Sequence, residues 1–95
     1  MTKYYVQETT RDSRGRILKS ERLTGNTEDI SWARKQMEYR FNKKLIDLRH
    51  QIKPGAIKIN KNWSTLDLKN GSYKIEIKKL EEPKPVLIIG IGIIR

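Results

Sequence analysis

The chain of 95 residues contains no cysteine and a single histidine, His50. Without cysteine it cannot form disulfide bonds, a thiolate zinc site or a cysteine nucleophile. One histidine excludes a histidine metal cluster, and the serines lack a histidine-based triad. We therefore expect no metal and no cofactor, and we place His50 on a solvated helix surface.

Long apolar runs are also scarce. The longest extends from Pro85 to Ile94 and is far shorter than the ~20 residues that a spanning helix needs. The N-terminal segment MTKYYVQE is polar and lacks the apolar core of a signal peptide. We expect a cytoplasmic protein that does not contact membranes.

Acidic residues are outnumbered by basic ones. There are 21 Lys and Arg residues against 11 Asp and Glu residues, which makes the formal net charge +10. This excess favours a negatively charged partner, either nucleic acid or an acidic protein. The length allows one domain with a small core.

The N-terminal segment carries two β-prone runs, residues 3–10 and 17–23. Asp12-Ser13-Arg14-Gly15 separates them and has the composition of a hairpin loop. We expect a β-hairpin whose exposed loop offers guanidinium groups to a partner; these belong to Arg11, Arg14 and Arg16.

A helix is predicted in the middle of the chain. Residues 24–27 supply breakers and an N-cap, and Pro54-Gly55 ends the segment, so we expect about 25 helical residues. Apolar residues at helical spacing form one stripe that should pack against the sheet. The stripe consists of Ile30, Ala33, Met37, Phe41, Leu45, Leu48 and Ile52.

The opposite helix face carries an unusual set of side chains. Trp32, Tyr39 and Ile46 recur every seven residues, and lysines stand among them. One interpretation is an ordinary surface on which lysine stems cover scattered apolar groups. The alternative, which we favour, is a binding surface. Its lysines are Lys35, Lys43 and Lys53.

Three further strands are predicted in the second half, at 56–60, 65–69 and 72–78. Asn70-Gly71 indicates a two-residue hairpin turn that pairs Leu68 with Tyr73 and Leu66 with Ile75. The apolar parity changes between Ile59 and Leu66, so we expect a bulge or turn at 61–64. One face of the hairpin should be apolar, with Leu66, Leu68, Tyr73, Ile75 and Ile77.

The C-terminal residues change in character. We expect residues 1–80 to form a basic domain, 81–85 a proline-containing linker, and 86–95 an apolar strand. Because that strand is apolar on both faces, it should lie within the domain or in the interface of a homo-oligomer. The resulting fold class is a small single α+β domain, with one long helix on a mainly antiparallel sheet in the order β-β-α-β-β-β-β.

These features favour a non-enzymatic module that binds nucleic acid through the hairpin loop and the outer helix face. The alternative is a protein-binding inhibitor or adaptor that antagonises a nucleic-acid-handling protein, of a kind that mobile elements encode. Trp, Tyr and Arg are the residue types most enriched at interface hot spots, so the same surface suits that role.

A remote alternative is enzymatic. Asp67, Glu76 and Lys78 fall on one face of the predicted hairpin, and Glu38 lies on the preceding helix. The pattern resembles the D…ExK layout of restriction-type and Holliday-junction nucleases. That resemblance implies two carboxylates that hold Mg²⁺ and a lysine that supports the attacking water. Cross-strand ion pairs would explain the same residues.

Overall fold

The computed structural model describes residues 2–81. Its elements are β1 (Thr2–Asp12), β2 (Ile17–Arg22), α1 (Ile30–Asp47), β3 (Ile52–Ile59), β4 (Trp63–Leu68) and β5 (Gly71–Glu81). The strands form one antiparallel sheet in the order β2-β1-β5-β4-β3. α1 packs on one face of this sheet, which confirms the predicted α+β architecture.

The observed order is β-β-α-β-β-β. The strand expected at 86–95 lies outside the described residues, as does the linker from residue 82 onward. Glu81 still belongs to β5, so the last strand passes the expected domain end by one residue. Within residues 2–81, no helix has the length and apolar character needed to cross a membrane.

The first hairpin forms as predicted. Asp12 and Arg16 close its loop, because the Asp12 amide donates to the Arg16 carbonyl at 2.9 Å. Gly15 has a φ of 83°, in the left-handed region that glycine adopts without steric cost. The loop is exposed, as its composition indicates.

The helix is shorter than predicted, with 18 residues. It begins after Asp29, whose Oδ1 caps it by accepting from the Trp32 amide at 3.1 Å. It ends at Asp47, because the chain joins the sheet a few residues later. There the Gln51 carbonyl accepts a hydrogen bond of 2.8 Å from the Lys69 amide. Ile52 therefore reaches the core from β3 and not from the helix.

The β4–β5 register differs from the prediction by two residues. Leu66 pairs with Tyr73 and Leu68 with Gly71, so Lys69-Asn70 forms the turn. A shift of two residues keeps every side chain on its face, because side chains alternate with period two. Glycine at position 71 allows β5 to lie close to β1, because a Cβ there would collide with the Arg11 carbonyl oxygen of β1.

The core lies between α1 and the sheet. Ala33, Met37 and Phe41 of the predicted stripe are buried, and the other four stripe residues are half-buried. The predicted apolar hairpin face also lies in this core, and the chain turns between Ile59 and Trp63. The largest fully buried side chains are those of Val6, Leu66, Tyr73 and Ile75.

Candidate functional site

Three large side chains form a row on the outside of α1. Trp32 is 41% exposed, Tyr39 61% and Ile46 62%. Seven helical residues advance the chain by about 10.5 Å, so this outer row is about 21 Å long. The row faces away from the buried stripe, as the helical spacing predicts.

Cations accompany the outer row. The Nζ of Lys43 lies 5.6 Å from the centroid of the Tyr39 ring, which is within the range of a cation–π contact. Lys35 and Lys43 are exposed, and neither forms an ion pair with another residue of the 2–81 segment. The outer row thus combines aromatic rings with ammonium groups that form no ion pair within residues 2–81.

Trp32 also borders an open hollow beside the N-terminus of α1. This cavity of about 430 Å³ is lined by Trp32 and by residues of the segment that leads into the helix. Asp29, the helix cap, is among them.

Asp12 organises the arginine-rich loop. Its Oδ1 accepts from the amides of Arg14 at 2.9 Å and Arg16 at 3.0 Å, and its Oδ2 accepts from the Arg16 Nε at 3.1 Å. These hydrogen bonds, above all that from the Arg16 amide, lower the pKa of Asp12 below its ordinary value. Arg11 is held by its Nη1, which donates to the Gly15 carbonyl at 2.9 Å. The loop therefore presents Arg14 as its least constrained cation.

Lys53 was predicted on the outer face of the helix, and this placement is wrong. Because α1 ends at Asp47, Lys53 lies on β3 beside the arginine loop. Lys53, Ser13 and Gly15 line the same cavity of about 270 Å³. The structure thus separates Lys53 from the outer row and joins it to the hairpin loop.

One functional candidate was missed by sequence reasoning. Lys69 in the β4–β5 turn lines the same cavity as Lys53. The sequence predicted Lys69 as the last residue of the strand 65–69, and only the strand order shows that the β4–β5 turn lies beside the first hairpin. We call this cluster of cations the basic end; it comprises Arg11, Arg14, Arg16, Lys53 and Lys69.

The residues of the nuclease-like layout do not converge. Asp67 pairs with Ser72, and Glu76 pairs with Trp63. The two acidic positions are thus four residues apart along the strands, or about 13 Å. The register that would bring them closer is wrong.

Glu76 and Lys78 of that layout form an ion pair that Lys74 shares, away from Asp67. The Oε1 of Glu76 lies 3.6 Å from the Lys74 Nζ and 3.9 Å from the Lys78 Nζ. Glu38 lies on α1 and lines a cavity with Met37 and Phe41, on the sheet face opposite to Glu76. Among residues 2–81, no group of three or more histidine or acidic side chains could hold a metal ion.

Comparison with known proteins finds no matching family model, curated protein or solved structure.

Proposed function

We propose that the protein is a non-enzymatic module that binds single-stranded nucleic acid. The observation that carries this proposal is the outer row, where Trp32 and Tyr39 are exposed and Lys43 stands over the Tyr39 ring. Exposed aromatic rings among cations suit a single strand, because bases stack on the rings while ammonium groups contact phosphates.

In this proposal the bound nucleic-acid strand runs along α1 toward the basic end. Bases stack on Trp32 and Tyr39, and Lys35 and Lys43 contact the backbone. Beyond Ile46 the chain turns through residues 48–51 and enters β3 at Ile52, next to Lys53. The outer row and the basic end are thus linked by a short segment in which Arg49, His50 and Gln51 are exposed.

Charge supports the same proposal. Several acidic groups are already paired within the protein: Glu8 and Glu21 with Lys19, and Asp12 with Arg16. The formal net charge remains +10 whether or not these acids are paired, and it attracts phosphates. Binding should therefore be largely independent of sequence and strongly weakened by salt.

Fluorescence anisotropy with labelled, mixed-sequence single-stranded DNA and RNA tests the proposal. Replacing Trp32 and Tyr39 together by Ala should weaken binding by about tenfold or more, because each stacked base contributes about 1–3 kcal/mol. Leu18→Ala is the control, since Leu18 is exposed (66%) but lies on β2. Equal affinities of the aromatic double variant and the control would contradict stacking on α1.

One observation favours a protein partner as the second candidate. Ile46 is 62% exposed, and an aliphatic side chain in the same row as Tyr39 is better suited to a protein groove than to a phosphate backbone. Affinity purification after nuclease treatment separates the two candidates. A partner that is retained by the wild type and lost with Ile46→Lys would favour an adaptor or inhibitor.

A further inference from the structure

Three segments that are distant in sequence meet at the basic end. Residues of the β1–β2 loop, the first part of β3 and the β4–β5 turn line one cavity of about 270 Å³. Two contacts fix this meeting: Asp12 pairs with Gly71, and the Lys69 amide donates to the Gln51 carbonyl at 2.8 Å. The walls are therefore held by the sheet itself.

The lining of this cavity is rich in donors. Lys53 and Lys69 supply two ammonium groups, and Ser13 and Ser72 supply two hydroxyls. Both lysines are exposed, and neither forms an ion pair with any residue between 2 and 81. Two uncompensated cations thus border a small polar hollow.

The cavity also contains one acid, Asp12. Its oxygens accept from two backbone amides and from the Arg16 guanidinium, so its charge is largely compensated within the loop. Asp12 therefore holds the wall of the cavity and leaves Lys53 and Lys69 for an external anion.

We propose that this cavity binds a phosphate group of the nucleic-acid backbone. The inference rests on the proposed function and adds to it one fixed phosphate position outside the outer row. Lysine ammonium groups act as point charges with several donors, which suits the oxygens of a phosphate. Both lysines contact the same phosphate, while Ser13 and Ser72 complete its hydrogen bonds.

A matched pair of double variants tests the site. Replacing Lys53 and Lys69 by Ala removes the two proposed contacts. Replacing Lys58 and Lys61 by Ala removes the same charge from exposed lysines elsewhere, on β3 and in the β3–β4 turn. The site variant should bind single-stranded DNA about tenfold more weakly, whereas the control should change less than twofold.

Salt dependence provides a second readout. Loss of one phosphate contact should reduce the slope of log affinity against log salt by about 0.7 on a single strand. Because both lysines hold one phosphate, Lys53→Ala and Lys69→Ala should be strongly non-additive. Equal losses in the site and control variants, or additive effects of the two single variants, would overturn the site and leave the proposed function standing.

Inorganic phosphate, added to the full-length protein, tests whether the cavity binds phosphate itself. Titration followed by amide NMR should shift Ser13, Lys69 and Ser72 in the wild type and in the control variant, but not in the site variant. Shifts without binding of any oligonucleotide would overturn the assignment to backbone phosphate together with the proposed function. Unchanged thermal unfolding of both double variants would exclude loss of the fold as the cause.

Discussion

The phenol hydroxyl of Tyr73 on β5 donates a hydrogen bond of 2.9 Å to the Oε1 of Glu8 on β1. Both residues are buried, with 1% and 7% exposure. Burial, followed by this hydrogen bond, raises the pKa of Tyr73 well above its ordinary value. The contact joins β1 to the central strand β5 beneath α1, so it helps to hold the surface on which the helix lies.

Removing this hydroxyl should destabilise the protein. Tyr73→Phe leaves the buried Glu8 carboxylate without its donor, and we expect a loss of about 1–3 kcal/mol in the free energy of unfolding. Urea denaturation followed by circular dichroism measures this loss. Tyr5→Phe is the control because Tyr5 points to the other sheet face, where Arg22 stacks on its ring at 4.0 Å. Equal midpoints for the two variants would contradict the contact.

The same pair predicts an alkaline loss of stability. Because folding raises the pKa of Tyr73, the protonated phenol stabilises the fold fully below its ordinary value of 10.0. This contribution is lost as the pH rises above that value. The unfolding free energy of the wild type should therefore fall more steeply with alkaline pH than that of Tyr73→Phe. Parallel pH profiles would show that Tyr73 contributes nothing to this dependence.

The hairpin loop should respond to acid. Hydrogen bonds lower the pKa of Asp12 on folding, so the stabilisation is present above the ordinary value of 3.8 and is lost as the pH falls through the lowered one. Amide NMR of Arg14 and Arg16 should follow this titration. Asp12→Asn should abolish it, and persistence of the same titration in that variant would assign it to another group.

Gly71 should tolerate no side chain. A Cβ at this position meets the Arg11 carbonyl oxygen, whereas a Cβ at Gly25 meets nothing within 4 Å. Gly71→Ala should therefore destabilise the fold by about 3 kcal/mol or separate β1 from β5, while Gly25→Ala should be close to neutral. Thermal unfolding compares the two, and similar midpoints would show that the close strand approach is not required.

Self-association is a further prediction. The apolar strand expected at 86–95 would have to be covered, and a second copy of the chain could supply the cover. Sedimentation at tens of micromolar should give a mass above that of one chain, and Ile89→Asp should shift it toward the monomer. A monomeric wild type would contradict the prediction.

Helical periodicity predicted both faces of α1, although it did not predict where the helix ends. The period of 3.6 residues separates Met37 and Phe41 from Trp32 and Tyr39 without any knowledge of the sheet. Alternation likewise predicted which residues of β4 and β5 face the core. It could not distinguish registers that differ by two residues, since these place the same side chains inside.

The basic end could not be predicted from local patterns. Lys53 continues the helical spacing beyond Asp47, and only the long-range contact between Gln51 and Lys69 shows that the helix has already ended. The proximity of Lys69 to the first hairpin depends on the strand order, in which β5 lies between β1 and β4. Such contacts are non-local, so a charge pattern along the chain does not reveal them.

The most direct test of the central claim uses the fluorescence of Trp32. The chain has two tryptophans, so Trp63→Phe leaves Trp32 as the only indole. Titration of this variant with a mixed-sequence single-stranded oligonucleotide should quench its emission, because a base stacks on the exposed ring, and added salt should reverse the quenching. Saturable binding measured by anisotropy without any change in Trp32 emission would contradict the account.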